Sequence, residues 1–130
     1  MKKLKTYELF NGGRITTALK KDIRNYQRKL TPFMIAITDG DMKRFNKLID
    51  IVDLEQEDNK GNTALLMASY CGRLKMLKEL IKKGANIHHK NDKGEDFYDM
   101  AEFQYKFINN TKKWIEKNYP EFIAAKKYNL

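Results

Sequence analysis

The stretch GNTALLMASYCGRLKMLKELIKKGANI, residues 61–87, decides the fold. Its second half carries an apolar stripe at spacings of three and four, made of Leu74, Leu77, Leu80 and Ile81. Lysines fill the positions between them, and this pattern predicts an amphipathic helix. Gly72 and Gly84 are placed to end the two helical segments, because glycine adopts the left-handed conformation cheaply. The stretch therefore predicts two short antiparallel helices followed by a polar turn.

The same pattern occurs three times along the chain. At a lag of 32, eight positions keep their character between the first copy and the second. In the first copy they are Thr31, Phe33, Ala36, Gly40, Met42, Phe45, Leu48 and Ile49. In the second copy, in the same order, they are Thr63, Leu65, Ala68, Gly72, Leu74, Leu77, Leu80 and Ile81. At a lag of 33 a more degenerate copy has Asn91, Lys93, Gly94 and Ala101 in the places of Asp58, Lys60, Gly61 and Ala68. A fixed period of this length is typical of a helical repeat solenoid.

The second copy resembles the ankyrin repeat through Gly61-Asn62-Thr63-Ala64-Leu65, Ala68, Gly72, Leu80-Ile81 and Gly84-Ala85-Asn86-Ile87. It departs from the family pattern at Ala64, where proline is usual, and at Leu66, where histidine is usual. We expect these changes to weaken the turn and its side-chain hydrogen bond locally.

The flanking copies follow the pattern less closely. The first keeps Thr31-Pro32-Phe33, so a helix is predicted to start there with Thr31 as its cap. Its end lacks the terminal glycine, which predicts an irregular hairpin. The third has Asp96-Phe97 in place of the usual threonine and proline, which predicts a C-terminal cap.

We therefore predict a single, mainly α domain: a short ankyrin-type helical repeat solenoid with a helical, aromatic C-terminal cap. The expected segments are a basic N-terminal cap (1–30), repeat 1 (31–58), repeat 2 (59–90), a degenerate repeat 3 (91–118) and a capping helix (119–130).

Both ends have distinctive sequences. Residues 7–17 are compatible with a small β-hairpin around Asn11-Gly12-Gly13, with a helix as the competing interpretation. Residues 18–30 are predicted to form a basic helix that packs over the first repeat. Nine of the fifteen aromatic residues lie between residues 97 and 130, where they could fill the cap core or form a binding surface. Pro120 is predicted to start a last helix, Glu121–Lys127.

Composition indicates an intracellular protein. No apolar run approaches the roughly 20 residues of a membrane span, so we expect no membrane partner. The basic start, Met1–Lys5, lacks the apolar core of a signal peptide. A single cysteine cannot form an intrachain disulfide. We expect a cytoplasmic location, and the AT-rich codons of the abundant Lys, Asn, Ile and Tyr favour a virus, phage or intracellular bacterium as the source.

The sequence favours a non-catalytic protein. It contains no phosphate-binding glycine loop, paired-carboxylate signature or zinc-ligand spacing. Cys71, His88 and His89 could supply a thiol and imidazoles, but no signature surrounds them, and the histidines are expected to be solvated on a hairpin tip. We predict no catalysis, no cofactor and no metal.

The net charge of +9 allows two kinds of partner. A nucleic-acid hypothesis rests on the basic N-terminal segment, through Lys20, Lys21, Arg24, Arg28 and Lys29. The charge alternates along the chain, however: +7 for residues 1–30, −4 for 31–58, +6 for 59–90 and zero for 91–130. This alternation favours a mixed-charge surface for docking a protein.

The resemblance implies a protein-binding module, an adaptor or an inhibitor, possessing a concave wall of hairpin tips and first-helix ends. We interpret it as a protein that blocks a host factor. The positions on that wall are Thr38, Asp39, Asn59, Lys60, Asn62, Tyr70, Cys71, Lys90, Asp92, Lys93, Glu95, Phe103 and Gln104.

Overall fold

The computed structural model describes residues 17–103 and 110–128, and the regular structure in these residues is helical. The helices are α1 (Thr17–Gln27), α2 (Pro32–Asp39), α3 (Met42–Leu48), α4 (Ala64–Tyr70), α5 (Leu74–Lys82), α6 (Phe97–Glu102), α7 (Asn110–Asn118) and α8 (Glu121–Lys127). The mainly α repeat fold is confirmed. The predicted hairpin lies outside the described residues except for Thr17, which begins α1. None of the described helices has the length and apolar character needed to cross a membrane.

The helices form two layers. The first helices of the three units, α2, α4 and α6, pack side by side as an inner layer. The second helices, α3, α5 and α7, each pack on the inner helix of their own unit as an outer layer. Every residue of α4 from Ala64 to Ser69 is buried, because neighbours cover it on both sides. The core is thus centred on repeat 2.

Helix α2 begins and ends as the sequence predicts. Thr31 Oγ1 accepts a hydrogen bond from the backbone N–H of Met34 at 3.2 Å, and Pro32 occupies the first turn. Gly40 then takes a φ of 72°, and the next N–H donates back to Ala36 O at 2.9 Å. A capping threonine and a left-handed glycine therefore set both ends of this helix.

Helix α1 is shorter than predicted. It ends at Gln27 instead of reaching Leu30. Lys29 adopts a left-handed φ of 56°, and the N–H of Leu30 donates to Asn25 O at 3.0 Å, which closes the helix. Apolar spacing could not reveal this stop, because a lysine rarely takes the conformation that glycine usually supplies.

Thr63, which precedes the first helix of repeat 2, lacks the side-chain hydrogen bond that is usual at this position of the family. Thr63 makes no side-chain capping bond, and its Oγ1 is buried with no hydrogen-bond partner among the described residues. Leu66, where the family has histidine, is fully buried. The predicted weakening at this turn therefore has a physical basis, since a buried hydroxyl without a partner destabilises the fold.

Replacing that hydroxyl by a methyl group is expected to leave stability unchanged or raise it. Thr63→Val keeps the side-chain shape and removes the buried polar atom, so we expect a gain of about 0 to 1 kcal/mol in the free energy of unfolding. Urea denaturation followed by circular dichroism measures it. Thr31→Val is the matched control, and it should lose about 1 kcal/mol because Thr31 caps its helix. A loss of stability in Thr63→Val similar to that control would contradict this account.

Arg73 joins the first two repeats. Its Nε donates to Ile37 O at 3.1 Å and its Nη2 to Thr38 O at 2.9 Å. These are carbonyls at the end of α2, where the last groups of a helix lack partners within the helix. Arg73 therefore caps the helix of the preceding repeat, a contact that the periodicity does not reveal.

The third unit begins with a reciprocal capping pair. Asp96 accepts from the N–H of Asp99 at 2.9 Å, and Asp99 accepts from the N–H of Asp96 at 3.0 Å. Asp96 thus replaces the usual threonine as the helix cap. Burial opposes ionisation of Asp99, but the hydrogen bonds from Lys126 and Asp96 and the positive charge of Lys126 together outweigh it, so the pKa of Asp99 lies below its ordinary value. Lys126 Nζ lies 2.6 Å from Asp99 Oδ1, which fixes α8 against α6.

Aromatic rings fill the C-terminal cap. Phe97 is fully buried, with its ring 5.0 Å from that of Phe122 and 6.0 Å from that of Tyr119 in edge-on arrangements. Trp114 packs on Tyr119 at 5.9 Å. Helix α8 has the predicted bounds, Glu121–Lys127, directly after Pro120. Most of the described C-terminal aromatics therefore form the core of the cap.

Candidate functional site

The hairpin tips of repeats 2 and 3 are built in the same way. Each starts from one short polar side chain, Asp58 in repeat 2 and Asn91 in the third unit. The Oδ1 atom of each accepts the backbone N–H groups two and four residues further on, at 2.9 Å for Asp58 and 3.0 Å for Asn91. Such side-chain to backbone bonds hold a turn rigidly. The lag of 33 between these positions therefore reflects two equivalent turns.

Hydrogen bonds stack successive tips on one another. The N–H of Asp92 donates to Lys60 O at 3.0 Å, and the N–H of Asn59 donates to Arg28 O at 3.0 Å. Asn91 Nδ2 also donates to the side chain of Asn62 at 3.0 Å. Three consecutive tips thus form one continuous wall.

A groove of about 470 Å³ runs along this wall beside the inner helices. It is lined by Arg28, Asn59, Lys60, Asn62, Tyr70, Asn91, Asp92, Lys93, Glu95, Met100 and Phe103. Eight of the thirteen residues that we predicted on the concave wall are among them. Sequence reasoning missed Asn91 and Met100 and placed Arg28 in the nucleic-acid set. Alignment of Asn91 with Asp58 was the signal that could have identified it.

Two exposed aromatic rings lie at one side of the groove. Tyr70 ends α4 and Phe103 follows α6, and their ring centroids are 6.0 Å apart. Tyr70 is 51% exposed and Phe103 is 41% exposed. Large rings left in water at the edge of a groove are typical of binding hot spots, because a partner that covers them gains free energy.

Charged side chains of both signs border the rings. Lys60, Asp92 and Lys93 are exposed on the tips. Glu95 is half-buried, and its Oε1 accepts from Asn91 Nδ2 at 3.0 Å. Arg28 lies 3.5 Å from the buried carboxylate of Asp58. This arrangement suits recognition of a partner with mixed charges, since opposite charges steer and orient docking.

The other predicted positions lie apart from the groove lining or contribute little surface to it. Asn62 is only 5% exposed, and its side chain donates to Asp58 of its own tip and accepts from Asn91 of the next tip. Asp39 forms an ion pair with Lys21 at 2.7 Å. Thr38, Cys71 and Lys90 are outside the lining, and Gln104 lies outside the described residues.

The residues weighed for catalysis have structural neighbours. Burial raises the pKa of the Cys71 thiol, which disfavours the reactive thiolate. The His88 ring stacks on Phe122 at 5.6 Å. His89 Nε2 lies 2.9 Å from Gly61 O and 3.3 Å from Glu57 Oε1, so the expectation that His89 is solvated is wrong.

Comparison with known proteins agrees with the geometry. The family of ankyrin repeats, in its three-copy form, matches residues 7–91. The chain is also similar to alpha-latroinsectotoxin-Lt1a of Latrodectus tredecimguttatus, with 30% identity over 110 residues. That alignment covers 81% of this chain but only 7% of the toxin, so the chain spans a small part of its relative's length. Together with the paired helices and stacked tips, the family match shows that this chain belongs to the ankyrin repeat family.

Proposed function

We propose that this chain is a non-catalytic adaptor or inhibitor that binds another protein in the groove along its stacked tips. Ankyrin repeats are generally protein–protein interaction modules. The observation that carries the proposal is the exposed pair Tyr70 and Phe103 beside charged, rigidly held tips. A rigid site loses little conformational entropy when it binds. Blocking of a host factor is the form of inhibition that we propose.

The toxin's own activity is not part of this proposal, because the likeness covers only 7% of that protein. The five N-terminal cations of the nucleic-acid hypothesis are also less available for binding phosphates than the sequence indicates. Lys21 is paired with Asp39, and Arg28 is paired with Asp58. Two of these five cations are thus already engaged within the fold.

The test is capture of a partner from the source cell, followed by affinity measurement with the purified partner. The double variant Tyr70→Ala/Phe103→Ala should weaken binding by about 30-fold or more, because it removes the exposed aromatic pair beside the groove. Isothermal titration calorimetry of wild type and variant gives the two dissociation constants.

A matched control removes two other exposed aromatic rings away from the groove. Tyr26 on α1 is 54% exposed and Tyr128 after α8 is 65% exposed. The variant Tyr26→Ala/Tyr128→Ala should bind the partner with unchanged affinity. The groove assignment is wrong if the control loses affinity while the Tyr70→Ala/Phe103→Ala variant does not.

A further inference from the structure

The positive charge of this protein is concentrated on its second helices. These helices are α3, α5 and α7. They carry nine Lys and Arg and two Asp and Glu, a net charge of +7. The remainder of the chain has seventeen Lys and Arg and fifteen Asp and Glu, a net charge of +2. We call the outward side of these three helices the outer face.

The inner helices have the opposite character. Helices α2, α4 and α6 contain no Lys or Arg, and their only charged residues are Asp39, Asp99 and Glu102. The charge that alternates along the sequence is therefore separated across the thickness of the stack. The outer face is a strongly cationic surface opposite a weakly acidic inner layer.

The outer cations are mostly exposed and unpaired. Within the described residues, only Lys112 of the nine is half-buried, and only Lys112 takes part in an ion pair. Lys43, Lys47 and Lys75 are exposed with no such partner in that part of the chain. Repulsion among like charges destabilises a fold, so an anionic partner would stabilise this arrangement.

Contacts between neighbouring second helices hold the face together. Lys78 on α5 lies 5.7 Å from the centroid of the Trp114 ring on α7. Lys83, which follows α5, pairs with Asp50 beyond the end of α3 at 2.8 Å. Exposed lysines on successive second helices thus lie side by side on one face.

The chemistry of the outer face indicates which anionic partner it suits. Eight of the nine cations are lysine, which protein–protein interfaces tend to exclude. None of the large exposed apolar residues among those described lies on these three helices, whereas a membrane-surface helix needs several apolar anchors. Single-stranded nucleic acids are held by stacking on aromatic rings, but Phe45 is buried and Trp114 is half-buried beside Lys78. A lysine array without fully exposed rings suits the phosphates of a duplex.

We propose that the outer face binds duplex nucleic acid through its phosphate backbone, without sequence preference. This site is separate from the groove, so protein binding and duplex binding are independent functions. Lysine donates to phosphate as a compact point charge and imposes little geometry, which fits recognition of shape and charge without readout of bases. The interaction should depend steeply on salt, because phosphate contacts release condensed counterions.

The test uses the full chain with fluorescently labelled duplexes of mixed sequence, one of DNA and one of RNA. Fluorescence anisotropy should show binding that weakens by about 100-fold between roughly 50 and 200 mM salt, as expected for about four phosphate contacts. The triple variant Lys43→Gln/Lys47→Gln/Lys75→Gln should bind at least about tenfold more weakly, and the slope against the logarithm of salt should fall by about 2 to 3. Glutamine retains helix propensity, so the fold is expected to persist.

A control variant with the same change in net charge distinguishes position from total charge. Lys60→Gln/Lys90→Gln/Lys93→Gln removes three exposed lysines from the tips instead. It should keep duplex affinity while weakening capture of a protein partner, and the outer-face variant should show the reverse. Equal loss of duplex binding in both variants would overturn the assignment to the outer face.

Three further outcomes would also overturn the proposal. These are absence of duplex binding at low salt, equal or tighter binding to a single strand, and binding to phosphatidylserine vesicles without binding to either duplex. The groove variant Tyr70→Ala/Phe103→Ala should bind duplexes as wild type does. Failure of duplex binding would thus leave the protein-binding proposal unaffected, and the converse also holds.

Discussion

Phe97→Ala is expected to lower the free energy of unfolding by about 3 to 5 kcal/mol, because it removes a fully buried ring from the centre of the C-terminal cap. Phe97 occupies the position where the family usually has proline, and its ring contacts both Phe122 and Tyr119. Without it, α8 loses the apolar contact that holds it on α6. The cost should approach the upper end of the range, since a rigid helical cap cannot collapse into the cavity.

The single tryptophan makes this loss measurable locally. Trp114 lies on α7 and packs against Tyr119, so its fluorescence reports on the cap, while circular dichroism reports on all the helices. In repeat proteins each unit contacts only its neighbours, so the fluorescence transition of the variant should precede the circular dichroism transition. Phe103→Ala is the control, because a ring that is 41% exposed should cost less than about 1 kcal/mol. Equal losses in the two variants would contradict the cap assignment.

Gly61→Ala is expected to destabilise the fold by about 2 to 4 kcal/mol through two separate effects. Gly61 has a φ of 79°, a left-handed conformation that costs a residue with a Cβ atom about 1 to 2 kcal/mol. A Cβ atom there would also lie 2.5 Å from Asp92 Oδ1 and 2.9 Å from the backbone N of Asp92. Because that N–H donates to Lys60 O, the stacking of two tips must shift to accommodate a methyl group.

Gly94→Ala separates the two effects. Gly94 has a nearly equal φ of 76°, but a Cβ atom there would meet nothing within 4 Å. It should therefore lose only the conformational part, about 1 to 2 kcal/mol. Urea denaturation of both variants gives the difference, which is the cost of close approach between tips. Equal losses would mean that the close approach of Asp92 to Gly61 adds no cost, which would contradict this account.

Much of the fold follows from local chemistry that the sequence displays. Thr31, Pro32 and Gly40 set the ends of α2 as predicted, and Pro120 starts α8 at the predicted residue. Such features depend on one residue and its nearest neighbours, so a single sequence suffices. The end of α1 was mispredicted because Lys29 takes a conformation that its residue type seldom adopts.

The candidate site was only partly predictable. Equivalence between repeats places Asn59, Lys60 and Tyr70 on the wall, because each repeat presents corresponding positions to the same side. Which side chains remain available depends on partners distant in sequence. The Asn62 side chain is unavailable to a partner because it bonds to Asn91, and the Asp39 side chain is unavailable because it pairs with Lys21. Periodicity carries no information about such pairs.

The sequence by itself determined the repeat, the caps of its helices and the residues that form the tips, since these follow from spacing and from local conformational preference. Only the tertiary structure decided how charge is distributed. Along the chain the sign alternates, but each second helix places its lysines outward because its apolar stripe packs on the inner layer. Stacking then brings lysines from distant segments onto one face, and this separation of charge is a property of the assembled layers.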